Sequence, residues 1–350
     1  MKNVFHLYQN RKGRWAVLHR ERTEENERRI LSPRACLSAE SRGRARPEEQ
    51  EELRTCFQRD VDRIIHSKAF RRLKHKTQVF LRPEGDHYRT RMTHTLEVDR
   101  IARTIARGLG LNEDLTEAAA LGHDLGHTPF GHAGERILNQ VLPGGFHHNV
   151  QSLRVVDLLE KDGDGLNLTY EVRRGILCHT GEDRAETLEG QILRFADRIA
   201  YINADIDDAI RGEIIFPIDI PVYLKQALGY TYSQRINTLT CDVIAASEGQ
   251  DEIRQTPEIA EAMEDLRQFM FEYVYRNPRA KGEEGKAQDV LLRLFEYYDS
   301  NADELPSEFQ YIREREGKSR AVADYIAGMT DSYAMAKYGE LFLPAAWTVK

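Results

Sequence analysis

The sequence predicts an almost wholly α-helical fold. Most segments repeat their apolar residues near every 3.6 positions, and strand-like alternation is scarce. The best candidate for extended chain, Ile214 to Val222, contains Pro217 and Pro221, which marks a connection rather than a sheet strand. The length of 350 residues suits one large domain, or a core with a helical appendage. No internal repeat is visible.

In chain order, residues 1–56 form the first unit. Its stretches Glu21 to Arg29 and Ser32 to Glu52 are rich in Arg and Glu, then in Ser, Gly and Pro, and read as an arm that is mobile or contacts another subunit. A core follows over 57–212. Val98, Ile101 and Ile105 recur at helical spacing, and His94 falls on their stripe four residues before Val98, so it points inward. The next helix spans roughly 113–124, with Asn112 as its N-cap. Leu115, Ala119 and His123 lie at i, i+4 and i+8, which puts His123 on a buried face. Gly126 stops this helix and Pro129 prevents its resumption, so the histidines beyond lie on a turn or a short irregular segment. Further on, Ile192, Leu193, Ala196, Ile199 and Ala200 describe a helix facing a core. Asp197 lies within that stripe, and Tyr201 and Asp205 follow it at one-turn intervals of about 5–6 Å. Residues 213–350 are expected to be a C-terminal helical part packed on the core. An exposed loop is expected over 277–287, where Asn-Pro and Lys-Gly-Glu-Glu-Gly interrupt the pattern.

The adjacent pair His123-Asp124 carries the chemistry. It supplies one neutral nitrogen donor and one anionic oxygen donor from a single turn of chain. That mix suits a divalent ion of intermediate hardness, Mn, Fe, Ni, Co or Zn, and tolerates Mg. An ion needs further ligands from elements packed alongside. His94 is one candidate, although a lone histidine on an apolar face is ordinarily a hydrogen-bonded core residue. Asp197 is the other, because a buried carboxylate is costly unless it is paired or binds a cation. A locally basic segment, Arg71, Arg72, Lys74, His75 and Lys76, then Arg82, Arg89 and Arg91, stands out in a net-acidic chain and suits capture of a small anion. Arg91 lies three residues before His94 and projects to the same side of that helix.

The set His94, His123-Asp124, Asp197 resembles the signature of the HD-domain metallophosphohydrolases, and within them the bacterial dGTPase-like deoxynucleoside triphosphate triphosphohydrolases of the shorter type. The resemblance runs through Phe57 to Phe80, Arg91 to Val98, Gly122 to Glu135, Phe146 to Arg154 and Phe195 to Asp205. It continues through Tyr275 to Pro278 and Asp324 to Tyr333, and so covers most of 57–340. It implies an HD-domain helical fold with additional C-terminal helices. The implied reaction converts a dNTP, dGTP being one, and water into a deoxynucleoside and inorganic triphosphate. His132 and Glu135 look like the family's acid-base pair, and their spacing of three allows contact if a helix begins there. His127 and His148 match phosphate-contacting positions. Sequence does not rank His132 against His148 as proton donor, and His147-His148 also reads as a solvent-exposed pair. Arg91 matches a residue at the phosphate–sugar end. Tyr201 matches a ring that packs on the deoxyribose, while Asp205 and Gln78 match residues that bond its 3′-hydroxyl. A ring pressed on C2′ would reject ribonucleotides. The resemblance further implies a tetramer or hexamer and an activating dNTP.

Composition fits an ordinary intracellular enzyme: 31% charged residues, net charge −7 and mean hydropathy −0.59. No apolar run is long enough to span a bilayer, and the start is polar within a few residues, so a cytoplasmic location without membrane contact is expected. Cys36, Cys56, Cys178 and Cys241 are dispersed and read as reduced thiols. Net acidity opposes non-specific binding to long nucleic acid and leaves a single-stranded DNA effector at a local basic patch open. Two other functions share the scaffold: an HD phosphodiesterase on cyclic or dinucleotide substrates, and a non-catalytic nucleotide sensor. The base preferred and the metal used are not set by these residues.

Overall fold

Helices form where the apolar spacing places them. The computed structural model describes residues 7–9, 15–17, 19–78, 89–278 and 282–344. Its strands are the short antiparallel pair β1 (Leu7–Gln9) and β2 (Trp15–Val17), with Leu7 opposite Val17. The helices that follow are α1 (His19–Ile30), α2 (Cys56–Ile65), α3 (Lys68–Arg72), α4 (Arg91–Gly108), α5 (Glu113–Gly122), α6 (Gly131–Val141), α7 (His148–Arg154), α8 (Tyr170–Cys178) and α9 (Leu188–Arg211). Beyond them come α10 (Val222–Leu228), α11 (Tyr232–Ser247), α12 (Pro257–Met270), α13 (Glu284–Ser300), α14 (Ser307–Glu316), α15 (Lys318–Ala327) and α16 (Asp331–Phe342). Among the described residues no helix is long and apolar enough to cross a membrane.

Local chemistry sets the boundaries that matter. Thr90 and Thr93 cap the start of α4 reciprocally, each hydroxyl accepting from the other's backbone N–H. Asn112 caps α5, accepting from the amides of Asp114 and Leu115. Thr187 caps α9 through the amide of Gly190. α4, α5 and α9 pack on one another at the centre. Their apolar faces (Val98, Ile105, Ala119, Leu193, Ala196, Ile199) continue through Leu239, Val243 and Leu266 of α11 and α12. A second cluster sets Phe130, Leu138 and Leu142 against Leu291, Leu294, Val322 and Ile326 of α13 and α15. A third joins Phe57, Ile64 and Leu73 to Leu115, Val172 and Ile176. The first two clusters run across residue 212, so the C-terminal helices share the apolar interior of the preceding ones.

The structure departs from the sequence reading in three places. α5 ends at Gly122, before His123 and Asp124. The cause is Ser152 of α7, whose hydroxyl donates to His123 O at 2.6 Å and accepts from Gly126 N at 2.9 Å. Gly126 is needed for that close approach, since a Cβ there would lie 2.1 Å from Ser152 N. Second, residues 19–56, read as an arm, are held by polar bonds within the segment and to α8 and α9. Glu27 accepts from the Ser38 amide and hydroxyl, Glu189 from the Cys36 amide, and Glu171 from Ser41 and Arg42. The charges that suggested disorder are partners for buried groups. Third, α13 begins at Glu284, inside the loop expected over 277–287, of which 279–281 lie outside the described residues. Residues 214–221 form a turn-rich connection, and all four cysteines are free.

Candidate active site

His94 lies one turn into α4 and is buried. Its Nε2 is 3.0 Å from Asp197 Oδ1 on α9 and 3.9 Å from Asp124 Oδ2. His123 and Asp124 follow α5 in the turn held by Ser152. His123 Nδ1 lies 2.6 Å from the Ala120 carbonyl, which can only accept, so the ring proton sits on Nδ1. Its Nε2 is then a bare lone pair. It makes no hydrogen bond within the described structure, yet lies 3.4 Å from Asp124 Oδ1 and 3.9 Å from Asp197 Oδ1. A buried lone pair aimed at two carboxylates is unfavourable until a cation stands among them. The His/Asp cluster fits a divalent metal on this ground: His94, His123 and Asp124 offer ligand atoms within 4.8 Å of one another, and Asp197 adjoins both histidines.

Charge around the cluster is already arranged for anionic ligands. Arg91, buried at the start of α4, donates from Nη1 to Asp124 Oδ2 at 2.8 Å. Burial favours the neutral form of Asp124, but His123, His127 and Arg91 outweigh it and hold the carboxyl well below its usual range. Burial likewise opposes ionisation of Asp197, and the His94 hydrogen bond brings it down to about 2.

Beside the cluster four imidazoles gather. His127 Nε2 is 3.3 Å from Asp124 Oδ1, and its ring stacks on His148 with centroids 4.1 Å apart. Burial keeps His127 neutral far below the usual histidine range. α6 starts where expected, so His132 Nδ1 meets Glu135 Oε2 at 3.2 Å. The other oxygen of Glu135 accepts from both the amide and Nδ1 of His148, at 2.8 and 2.9 Å. Burial would neutralise Glu135, but its bonds to His132 and His148 hold it ionised. The exposed pair once open for His147-His148 resolves: His147 faces outward, and His148 turns in. The fourth ring, His179, was missed. It is buried at the end of α8, 3.2 Å from His148 Nε2 through its own Nε2. Val172, Ile176 and His179 lie on one helical stripe, the signal that located His94.

A cleft of about 430 Å³ opens over these groups. Every predicted site residue lines it except His123 and Glu135, which lie behind its surface. Its far wall carries Tyr201 and Asp205 of α9. Tyr275, from the π-helical turn Phe271–Tyr275 that continues α12, donates a short hydrogen bond to Asp205 Oδ2. Burial pushes Asp205 up to about 7. Asp205 Oδ1 and Gln78 Oε1 are buried acceptors without a hydrogen bond in the described structure. Of the basic segment, Arg91 alone among described residues lines the cleft. Arg89 instead pairs with Glu97 and Asp208, Lys76 is buried against the His127 and Ala327 carbonyls, and Arg82 lies outside the described residues. Arg136 and Arg267, unforeseen, line it from α6 and α12.

This fold and this site define a protein of the HD-domain class: residues 91–202 match the HD domain, and residues 253–340 match a phosphohydrolase-associated domain. A deoxyguanosinetriphosphate triphosphohydrolase-like protein of Caldanaerobacter subterraneus subsp. tengcongensis is 61% identical over 328 residues, covering 94% of this chain and 97% of its own length. One from Clostridium tetani is 47% identical over 336 residues, covering 93% and 96%. The chain belongs to the deoxyguanosinetriphosphate triphosphohydrolase-like family. A phosphohydrolase structure from Bacteroides thetaiotaomicron shares the fold at 17% identity and a TM-score of 0.51, over 80% of this chain and 69% of its own.

Proposed function

We propose that the protein hydrolyses a dNTP, with dGTP the first candidate, to a deoxynucleoside and inorganic triphosphate. One observation carries the reading: His94, Asp124 and Asp197, the His132 and His148 rings, and Tyr201 with Asp205 all open onto a single cleft of nucleotide size. A divalent metal held by His94, His123, Asp124 and Asp197 would polarise the α-phosphate and lower the pKa of an attacking water. Mn, Mg, Fe, Ni and Co all suit the two nitrogen and two oxygen donors.

The remaining roles belong to the chain. Water attacks the α-phosphorus, the bond to the sugar 5′-oxygen breaks, and that oxygen takes a proton. Glu135 holds His132 through Nδ1, leaving Nε2 to give the proton from the cleft. His148 is less suitable, since its Nε2 is turned towards His179. Arg91 holds Asp124 in place and, with Arg136 and Arg267, supplies positive charge for the triphosphate. Tyr201 would pack on the deoxyribose, and the vacant acceptors on Asp205 and Gln78 would take the 3′-hydroxyl. A homo-oligomer belongs to this reading, supported by exposed Phe216, Ile218, Tyr223 and Tyr230 on the connection after α9 and nearby.

The test is incubation of purified protein with Mn and each dNTP, singly and mixed, with products resolved by ion exchange. Intact triphosphate plus deoxynucleoside is expected. Activity only in mixtures identifies an activating dNTP, and monophosphate plus pyrophosphate, or no product throughout, overturns the proposal. Light scattering of the same sample reads the oligomer.

A further inference from the structure

Two consecutive residues grip the turn that carries His127. Lys76 follows the short 3₁₀ turn Leu73–His75 after α3 and is buried. Its ammonium forms no ion pair among the described residues. It donates instead to two backbone carbonyls, that of Ala327 at 2.8 Å and that of His127 in a short hydrogen bond. Ala327 ends α15, where helix carbonyls lack partners within the helix. His127 stands in the turn between α5 and α6. The next residue, Thr77, holds the other end of that turn. Its amide and hydroxyl donate to one oxygen of Asp331, whose second oxygen accepts from the Phe130 amide.

The backbone of Lys76 adds a third tie. Its carbonyl accepts from the amide of Arg91, the first residue of α4, at 3.1 Å. One residue thus joins the start of the helix bearing Arg91 and His94 to the turn bearing His127. An ammonium buried without a carboxylate is costly, and an apolar side chain of the same length would fill the space without that cost. Burial, with Arg72 next, pulls the ammonium down to about 7. Charged or neutral, it keeps a hydrogen for each carbonyl, so the tie survives either state.

We propose that Lys76 is a positioning residue for the reaction: through its carbonyl and its ammonium it sets the distance between Arg91 and His127, which would flank the phosphates. Lys76 does not line the cleft. The proposal rests on the dNTP reading for its chemistry and on the backbone bonds for its place. Misplacing a reacting group by about 1 Å can cost about 10²-fold, so loss of the tie should appear in kcat. The sugar contacts of Tyr201 and Asp205 would lie elsewhere, so KM should hold.

Lys76→Met keeps the length and removes the donor. Full-length wild type and variant are loaded with Mn, analysed for Mn per chain, and run in steady state with each dNTP that the wild type hydrolyses. kcat should fall about 10–10²-fold, with KM within about threefold and Mn content unchanged. Independently of turnover, magnetic resonance of protein carrying isotope-labelled histidine compares the imidazole signals, with His127→Gln identifying that ring. The His127 signals should move in Lys76→Met, and those of the outward-facing His147 should not. Circular dichroism checks folding; Lys76→Gln, a shorter donor expected to show the same changes, takes over if the Met variant is unfolded. Wild-type kcat in the folded variant, unmoved His127 signals, or Mn lost along with activity overturns the proposal. A wild type inactive on every dNTP, with the His127 shift present, sinks the substrate reading and supports the positioning.

Discussion

At the scale of single residues, Asp124 has most to do. It faces His94, His123 and His127, and Arg91 fixes one of its oxygens. Asp124→Ala should remove bound metal and lower turnover at least about 10³-fold, read by elemental analysis and by triphosphate release. The same change strands the Arg91 guanidinium in a buried place, so a stability loss of roughly 3–5 kcal/mol should accompany it. His132 is exposed at the cleft rim, and its hydrogen bond goes to Glu135 rather than to His94, His123, Asp124 or Asp197. His132→Ala should keep full metal content and slow kcat by about 10²–10⁴-fold; unchanged kcat would refute its role as acid. Both residues were legible in the sequence, because His123-Asp124 names its own chemistry and a spacing of three brings His132 to Glu135. Tyr275 and His179 were not. Tyr275 reaches Asp205 from 70 residues away, and His179 stands 56 residues after His123, at the end of a different helix. Contacts of that range are made by packing, which local periodicity does not report.

At the scale of elements, the N-terminus of α9 holds a buried acid. One oxygen of Glu189 accepts from the amides of Cys36 and Asn112, at 2.9 and 3.0 Å, and the other has no hydrogen bond in the described structure. Burial raises this carboxyl from 4.5 to about 7. Its folded pKa lies above its unfolded one, so its contribution to stability is full below about 4.5 and is lost as pH rises through 7. Glu189→Gln keeps the acceptor and removes the ionisation. Relative to wild type it should therefore gain roughly 1–3 kcal/mol between pH 5 and pH 8, measured as urea unfolding at the two pH values; a constant difference would refute the titration. Helices α4, α5 and α9 were legible because stripe, cap and stop residues agree locally. The end of α5 was misread because Ser152 of α7 decides it, and residues 19–56 because Glu171 and Glu189, which hold them, lie far along the chain.

At the scale of the whole molecule, the C-terminal helices reach back to the turn that precedes His132. Asp331 at the start of α16 accepts from the Phe130 amide through one oxygen and from the Thr77 amide through the other, each at 3.0 Å. Phe130 has a left-handed backbone (φ 60), unusual for a bulky residue, and it immediately precedes the helix carrying His132 and Glu135. Asp331→Ala should cost roughly 2–4 kcal/mol by leaving two backbone donors and the Thr77 hydroxyl without their acceptor, and it should lower kcat with little change in metal content. Urea unfolding and steady-state kinetics check the two parts; a kcat equal to wild type would mean that the turn holds its shape unaided. The tie spans 201 and 254 residues, a range that local periodicity does not report.

The four proposed metal ligands are drawn from positions 94 to 197, three separate stretches of chain that the packed core brings together. A denatured polypeptide presents no such grouping, so ion uptake belongs to the native state alone. By mass action the folded population then rises with free ion, by about 2.7 kcal/mol at a hundredfold excess over Kd. The melting temperature becomes a readout of ambient metal, and the ion that occupies the protein is chosen after folding, by whichever supply surrounds the finished molecule.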